Sequence, residues 1–182
     1  MRVPATIRRL LFLVTALALL APRASAQVNS NAAGVFLQAG RAEVIRVAAL
    51  PGTVNFALSP NGIAGGSSAI TITTSWSLIP SVQDVNLYAY FASSAAALTD
   101  GLGNNIPPAN VLASVNGTAF APFTGNGAFA VGSSMLVFTE RIIGNNKNKT
   151  RSDILDMQID TTGLGLPAGT YTGVLLIQAQ AL

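Results

Sequence analysis

Apolar positions along this chain recur with a period of two, the spacing of a strand with one buried face. Ile70, Ile72, Thr74, Trp76 and Leu78 alternate with Thr71, Thr73, Ser75 and Ser77, which predicts a half-buried strand with a hydroxylated outer face. The next run repeats the pattern. Val85, Leu87, Ala89 and Phe91 share a face opposite Asn86, Tyr88 and Tyr90, and Pro80 and Ser81 supply the turn between the two runs. Upstream, "VNFALS" sets Val54, Phe56 and Leu58 on one side, bounded by Pro51-Gly52 and Pro60-Asn61-Gly62. Downstream, "SDILDMQID" points Leu155, Met157 and Ile159 inward and Asp156, Gln158 and Asp160 outward. "AEVIRVAAL", "NVLASV" and "MLVFTERII" are further strands. Only "SSAAALTDG" (93–101), Ala-rich and closed by Gly, predicts a helical turn. About eight or nine short strands separated by Gly, Pro and Asn clusters predict an all-β fold, an antiparallel sandwich or barrel.

The chain closes on "LPAGTYTGVLLIQAQAL" (166–182). Tyr171, Gly173, Leu175, Ile177 and Ala179 form one row, and Thr170, Thr172, Val174, Leu176, Gln178 and Gln180 the other. Terminal residues fray unless a sheet or partner holds them, so this strand belongs either to the fold or to an assembly. Val174 and Leu176 put apolar side chains on the nominally outer face, which predicts a central strand covered on both sides in preference to an exposed docking surface.

The first residues change how composition is read. Arg2, Arg8 and Arg9 form a basic region, "LLFLVTALALLA" an apolar one, and Ala24-Ser25-Ala26 a small-residue cleavage site, the three parts of a secretory signal peptide. Cleavage is expected between Ala26 and Gln27. The apolar run is shorter than the roughly 20 residues a spanning helix needs, so no stable membrane span is expected after cleavage. The Arg8-Arg9 pair leaves the general and twin-arginine export routes both open. Expected domains are thus a signal peptide at 1–26, an extension at 27–40 and a sandwich at 41–182.

Four of the ten basic residues fall in 1–26, leaving six against seven acidic residues, a formal charge of −1. The +3 of the whole chain therefore gives no reason to expect nucleic acid as a partner. The remaining 156 residues suffice for one domain that buries roughly 70% of its unfolded-chain surface. With no cysteine, an exported chain must gain its stability from apolar burial.

Candidate chemistry is sparse. Without His or Cys, no imidazole or thiolate metal site can form, and no metal or other cofactor is expected. No nucleophile elbow, SxxK motif, P-loop or GxGxxG frames a catalytic group, so no catalytic residue is assigned and an enzyme, such as a hydrolase, ranks last. Asp156 and Asp160 lie four strand residues apart, about 13 Å. That is too far for either glycosidase mechanism or for shared calcium ligation along a regular strand. One local concentration of charge remains, "GNNKNKTR", in which Lys147, Lys149 and Arg151 form a candidate contact with an anionic glycan or phospholipid surface. A solvated hairpin tip has the same composition. Asn116-Gly117-Thr118 and Asn148-Lys149-Thr150 match the glycosylation sequon by chance composition.

"LPAGTYTGVLLIQAQAL", the preceding "TRSDILDMQID", "WSL…VNLYAYF" and "IPPANVLASVNG" resemble small exported bacterial β-sandwich proteins of the spore coat U and chaperone–usher pilin type. That resemblance implies a single antiparallel immunoglobulin-like sandwich and a non-enzymatic structural or surface-assembly subunit, located in the periplasm, on the cell surface or outside the cell. It also implies strand addition, between copies or with other surface subunits, for which residues 27–40 are the candidate donor. The cysteine pair often seen in those subunits is absent here. A monomeric secreted adhesive or ligand-binding sandwich is the alternative.

Overall fold

The computed structural model describes residues 36–79 and 81–182. The expected cleavage site at Ala26 and Gln27, most of the 27–40 extension, and Pro80 lie outside the described residues. The sandwich begins at Arg41.

Its first sheet contains β1 (Val44–Leu50), β2 (Ile63–Gly65), β3 (Ile70–Ser77), β7 (Val111–Val115), β8 (Ala121–Pro122) and β11 (Asn148–Asp160), in the order β1-β3-β11-β7-β8. β2 pairs with Gln158 to Asp160 of β11, continuing the edge that β3 leaves at Leu155. The second sheet contains β4 (Asp84–Tyr90), β9 (Gly125–Gly127), β10 (Ala130–Arg141) and β12 (Leu176–Ala181), in the order β12-β4-β10-β9. A separate two-stranded ribbon joins β5 (Leu98–Thr99) to β6 (Asn105–Ile106). All pairings are antiparallel. The expected all-β sandwich is the observed fold. The twelve strands exceed the expected eight or nine because several are two- or three-residue pieces too short to show alternation.

The apolar rows face one another between the sheets. Ile72, Trp76, Leu155 and Ile159 from the first sheet meet Val85, Leu87, Ala89 and Phe138 from the second, all buried. Burial of this kind contributes roughly 25 cal/mol per Å² of apolar surface, so these rows select the register.

On one flank the chain passes directly from β8 to β9, between the edges of the two sheets. Phe123 in that crossover is fully buried and packs edge to face on Phe91, ring centroids 5.1 Å apart. On the opposite flank β1 runs beside β12, but no ladder hydrogen bond joins them. A cis peptide joins Leu50 to Pro51 where β1 ends.

Three expectations need correction. β12 is an edge strand, with Val174 70% and Leu176 37% exposed, so the closing run is not covered on both sides. "VNFALS" is no strand: only an isolated bridge joins Phe56 to Gly66, although Val54, Phe56 and Leu58 do face the core. The segment 93–101 forms no helical turn. The Ser93 hydroxyl accepts from the N–H groups of Ala95 and Ala96, and Ala97 N–H then bonds Ile106 O at 2.8 Å, drawing the chain into the ribbon.

Candidate binding groove

The two alternating stretches that find no regular sheet, 54–58 and 171–175, the second running into β12, line a cavity of about 660 Å³. Val54, Phe56 and Leu58 supply apolar side chains from one segment; Tyr171, Leu175 and Ile177 supply them from the other. Ile70, Phe91, Val111, Met157 and Ile159, at the ends of core strands, complete the lining. A second cavity of about 390 Å³ shares Leu58, Gly169 and Tyr171 with the first and extends the groove along residues 58–61 and 165–171.

Both walls are tethered. Thr161 anchors the first: its hydroxyl donates to Ser59 O at 2.6 Å and accepts from Gly62 N–H at 3.0 Å, and its own N–H bonds Gly62 O. Asn55 and Ser67 add a reciprocal pair of bonds. In the second wall, Thr172 and Thr99 exchange both backbone hydrogen bonds at 2.9 Å, and the Tyr171 phenol donates to Pro167 O. Gly173 is required there because a Cβ would collide with the Ala97 carbonyl. The groove is therefore a preformed feature of the fold, with its wall residues held by backbone and side-chain hydrogen bonds to Gly62, Ser67 and Thr99.

Its chemistry is that of burial. No charged residue lines either cavity; the polar groups are Thr, Ser, Asn and Tyr side chains with backbone amides. Such a lining favours an apolar or extended ligand over an ion. Beside it, β12 offers a charge-free edge paired on one side only, by β4. The other sheet edges are blunted: β8 is two residues and ends in Pro122, β9 is three residues, and β1 carries Arg46.

The predicted basic contact has a different geometry. Lys149 and Arg151 stand in the row of β11 that continues inward as Asp153, Leu155, Met157 and Ile159. They reach across the space between the sheets to β10. Lys149 Nζ lies 2.6 Å from Glu140 Oε1, and Arg151 pairs with Glu140 at 3.6 Å and with buried Asp153 at 2.8 Å. The Arg151 guanidinium also stacks over Phe138, 4.3 Å from the ring centroid. Asn116 donates to Asp153, Asn146 donates to Glu140, and Trp76 Nε1 donates to Asn146 O. Burial pushes both carboxyls up, but hydrogen bonds outweigh it: from Lys149 and Asn146 on Glu140, and from Arg151 and Asn116 on Asp153. Together with the neighbouring cations they hold both carboxyls below their ordinary values. The Asp153 hydrogen bond raises the Arg151 guanidinium further. Lys147 alone of the three makes no ion pair among the described residues. The Asn116 amide, held by Asp153 and by Ile154 N–H, is occupied inside the fold.

Among the described residues, no helix is long and apolar enough to cross a membrane, and no group of three or more His, Cys, Asp and Glu converges on a metal position. No protein-family model and no curated protein matches the chain.

Sequence reasoning found both groove rows by their alternation but assigned them to paired strands. The signal for a groove was the turn chemistry ahead of each, Pro51-Gly52 and Pro167-Ala168-Gly169, which lets an extended segment leave its sheet.

Proposed function

We propose that this chain is a non-enzymatic, exported structural subunit, an immunoglobulin-like sandwich of the coat or pilin kind. It joins neighbouring copies by accepting an extended segment into the groove between 51–58 and 169–177. The observation that carries this reading is the coincidence of a preformed, uncharged groove with the charge-free, half-paired edge of β12. A strand laid there gains main-chain hydrogen bonds from the edge and side-chain burial from the groove, the two components of strand addition. Residues 27–40 of a second copy are the donor, with Phe36 as the apolar side chain that enters and Val35 and Leu37 on the opposite face of the added strand. The resemblance to exported coat and pilin subunits supports the same reading.

Light scattering on the mature chain and on a chain lacking residues 27–40 tests it. Concentration-dependent assembly of the first and a monomeric second are expected. A mature chain that stays monomeric at every concentration contradicts it. The groove's volume favours one further reading: 660 Å³ lies within the roughly 300–1,000 Å³ of small-molecule sites. A monomer that retains an apolar small molecule through purification would establish that binding module instead.

A further inference from the structure

The outer face of the second sheet carries an aromatic cluster that the core does not need. Pairing places Leu176, Tyr90 and Ser134 in one cross-strand row and Gln178, Tyr88 and Leu136 in the next, on the side away from the core, with Ser134 itself buried against Gly125 and Gly127. Phe129, from the β9–β10 turn, folds onto them. Its ring stacks on Tyr90 at 5.7 Å with an interplanar angle of 25° and meets Tyr88 edge-on at 5.8 Å and 81°. The Tyr90 phenol donates to Gln178 Oε1 at 2.9 Å, which fixes one amide at the border of the rings. Leu136 beside them is 49% exposed. Asn86, in the following row, has its side-chain oxygen buried beneath the surface. Those three rows contain no charged residue.

We propose that this face binds a neutral glycan. Aromatic faces carry negative potential, and the C–H groups on the flat side of a pyranose ring present a positive, apolar surface that stacks on them. Side-chain amides at the margin supply the paired donors and acceptors that sugar hydroxyls require. The absence of charge excludes ionic recognition of an acidic or basic partner. Size separates a glycan from a second protein. Three aromatic side chains bury about 150–250 Å² each when fully covered, and these are already half-buried. What is left falls below the roughly 800 Å² per partner of a stable protein interface. The site lies on the outer face of the second sheet and shares with the proposed strand-accepting edge only β12.

The test is isothermal titration of the mature protein with oligosaccharides derived from cellulose, chitin, mannan and curdlan, and with polygalacturonate as an anionic control. At least one neutral oligosaccharide is expected to bind, and the control is not. Phe129→Ala should raise Kd about tenfold or more, and Leu136→Glu, at an exposed position that leaves the fold intact, should weaken binding comparably. Tyr90→Phe, which keeps the stacking surface and removes the bond to Gln178, should weaken it less. Failure of every neutral oligosaccharide to bind overturns the proposal, as does binding unaffected by Phe129→Ala and Leu136→Glu. A mature protein whose self-association is abolished by Leu136→Glu shows instead that the face pairs two copies, and overturns it too.

Discussion

The two flanks of the sandwich solve the same problem differently. Between β8 and β9 the chain itself crosses from sheet to sheet and drops Phe123 into the core, so that edge is closed covalently and filled. Between β1 and β12 nothing crosses, and beyond their ends the segments 51–58 and 169–175 flank a cavity. The apolar rows are of equal quality on both sides. What differs is whether the chain supplies its own plug. A flank whose walls are tethered by Thr161, Thr172 and Gly173 yet left unfilled by the chain is the feature on which the proposed strand acceptance rests.

That contrast predicts opposite mutational signatures. Phe123→Ala on the closed flank should cost about 3–5 kcal/mol in denaturant unfolding, because it removes a fully buried ring with no route for collapse. Arg151→Ala should cost about 2–3 kcal/mol, since it leaves the buried Asp153 carboxylate with Asn116 as its remaining side-chain partner. At the second wall of the groove, Gly173→Ala forces the chain away from Ala97 and should cost about 1–3 kcal/mol while widening the groove. Val174→Asp, at a position 70% exposed on the groove, should change stability by less than about 0.5 kcal/mol. It should nevertheless abolish assembly. A Val174→Asp protein that unfolds readily would show that this flank is closed like the other.

Acid sharpens the comparison, because the ionic network has no counterpart in the groove. Glu140 and Asp153 have folded-state pKa values below their ordinary 4.5 and 3.8, so their contribution is complete above about pH 5. It is lost as pH falls through those values toward the lower, folded-state ones. A melting temperature level from neutral pH to about 5 and falling below that is expected, with a shallower fall in Arg151→Ala.

Period-two alternation made the sheets legible, since a strand packed on one face must carry its apolar residues at every second position. It did not distinguish a paired strand from an extended segment over a cavity, because both bury one face. Val54, Phe56 and Leu58 therefore read the same as Ile70, Ile72 and Trp76, which do lie in a ladder. Parity also held the information that was overlooked in the basic loop. Lys149, Arg151 and Asp153 share the row of Leu155, and along it exposure falls from exposed Lys149 through Arg151 to buried Asp153, a gradient that charge alone does not suggest. The ring cluster required knowledge of which strands are neighbours, since Phe129 is distant in sequence from Tyr88 and Tyr90.

The most direct test of the open flank uses the chain's lack of cysteine. Two single variants, Phe36→Cys and Val174→Cys, are mixed, oxidised mildly and resolved under non-reducing conditions. If the extension of one copy enters the groove of another, the mixture should give a disulfide-linked heterodimer at a yield well above the homodimers of either variant alone. Cross-linking no greater than for Phe36→Cys mixed with a cysteine placed at exposed Ile154, away from the groove, would contradict the account.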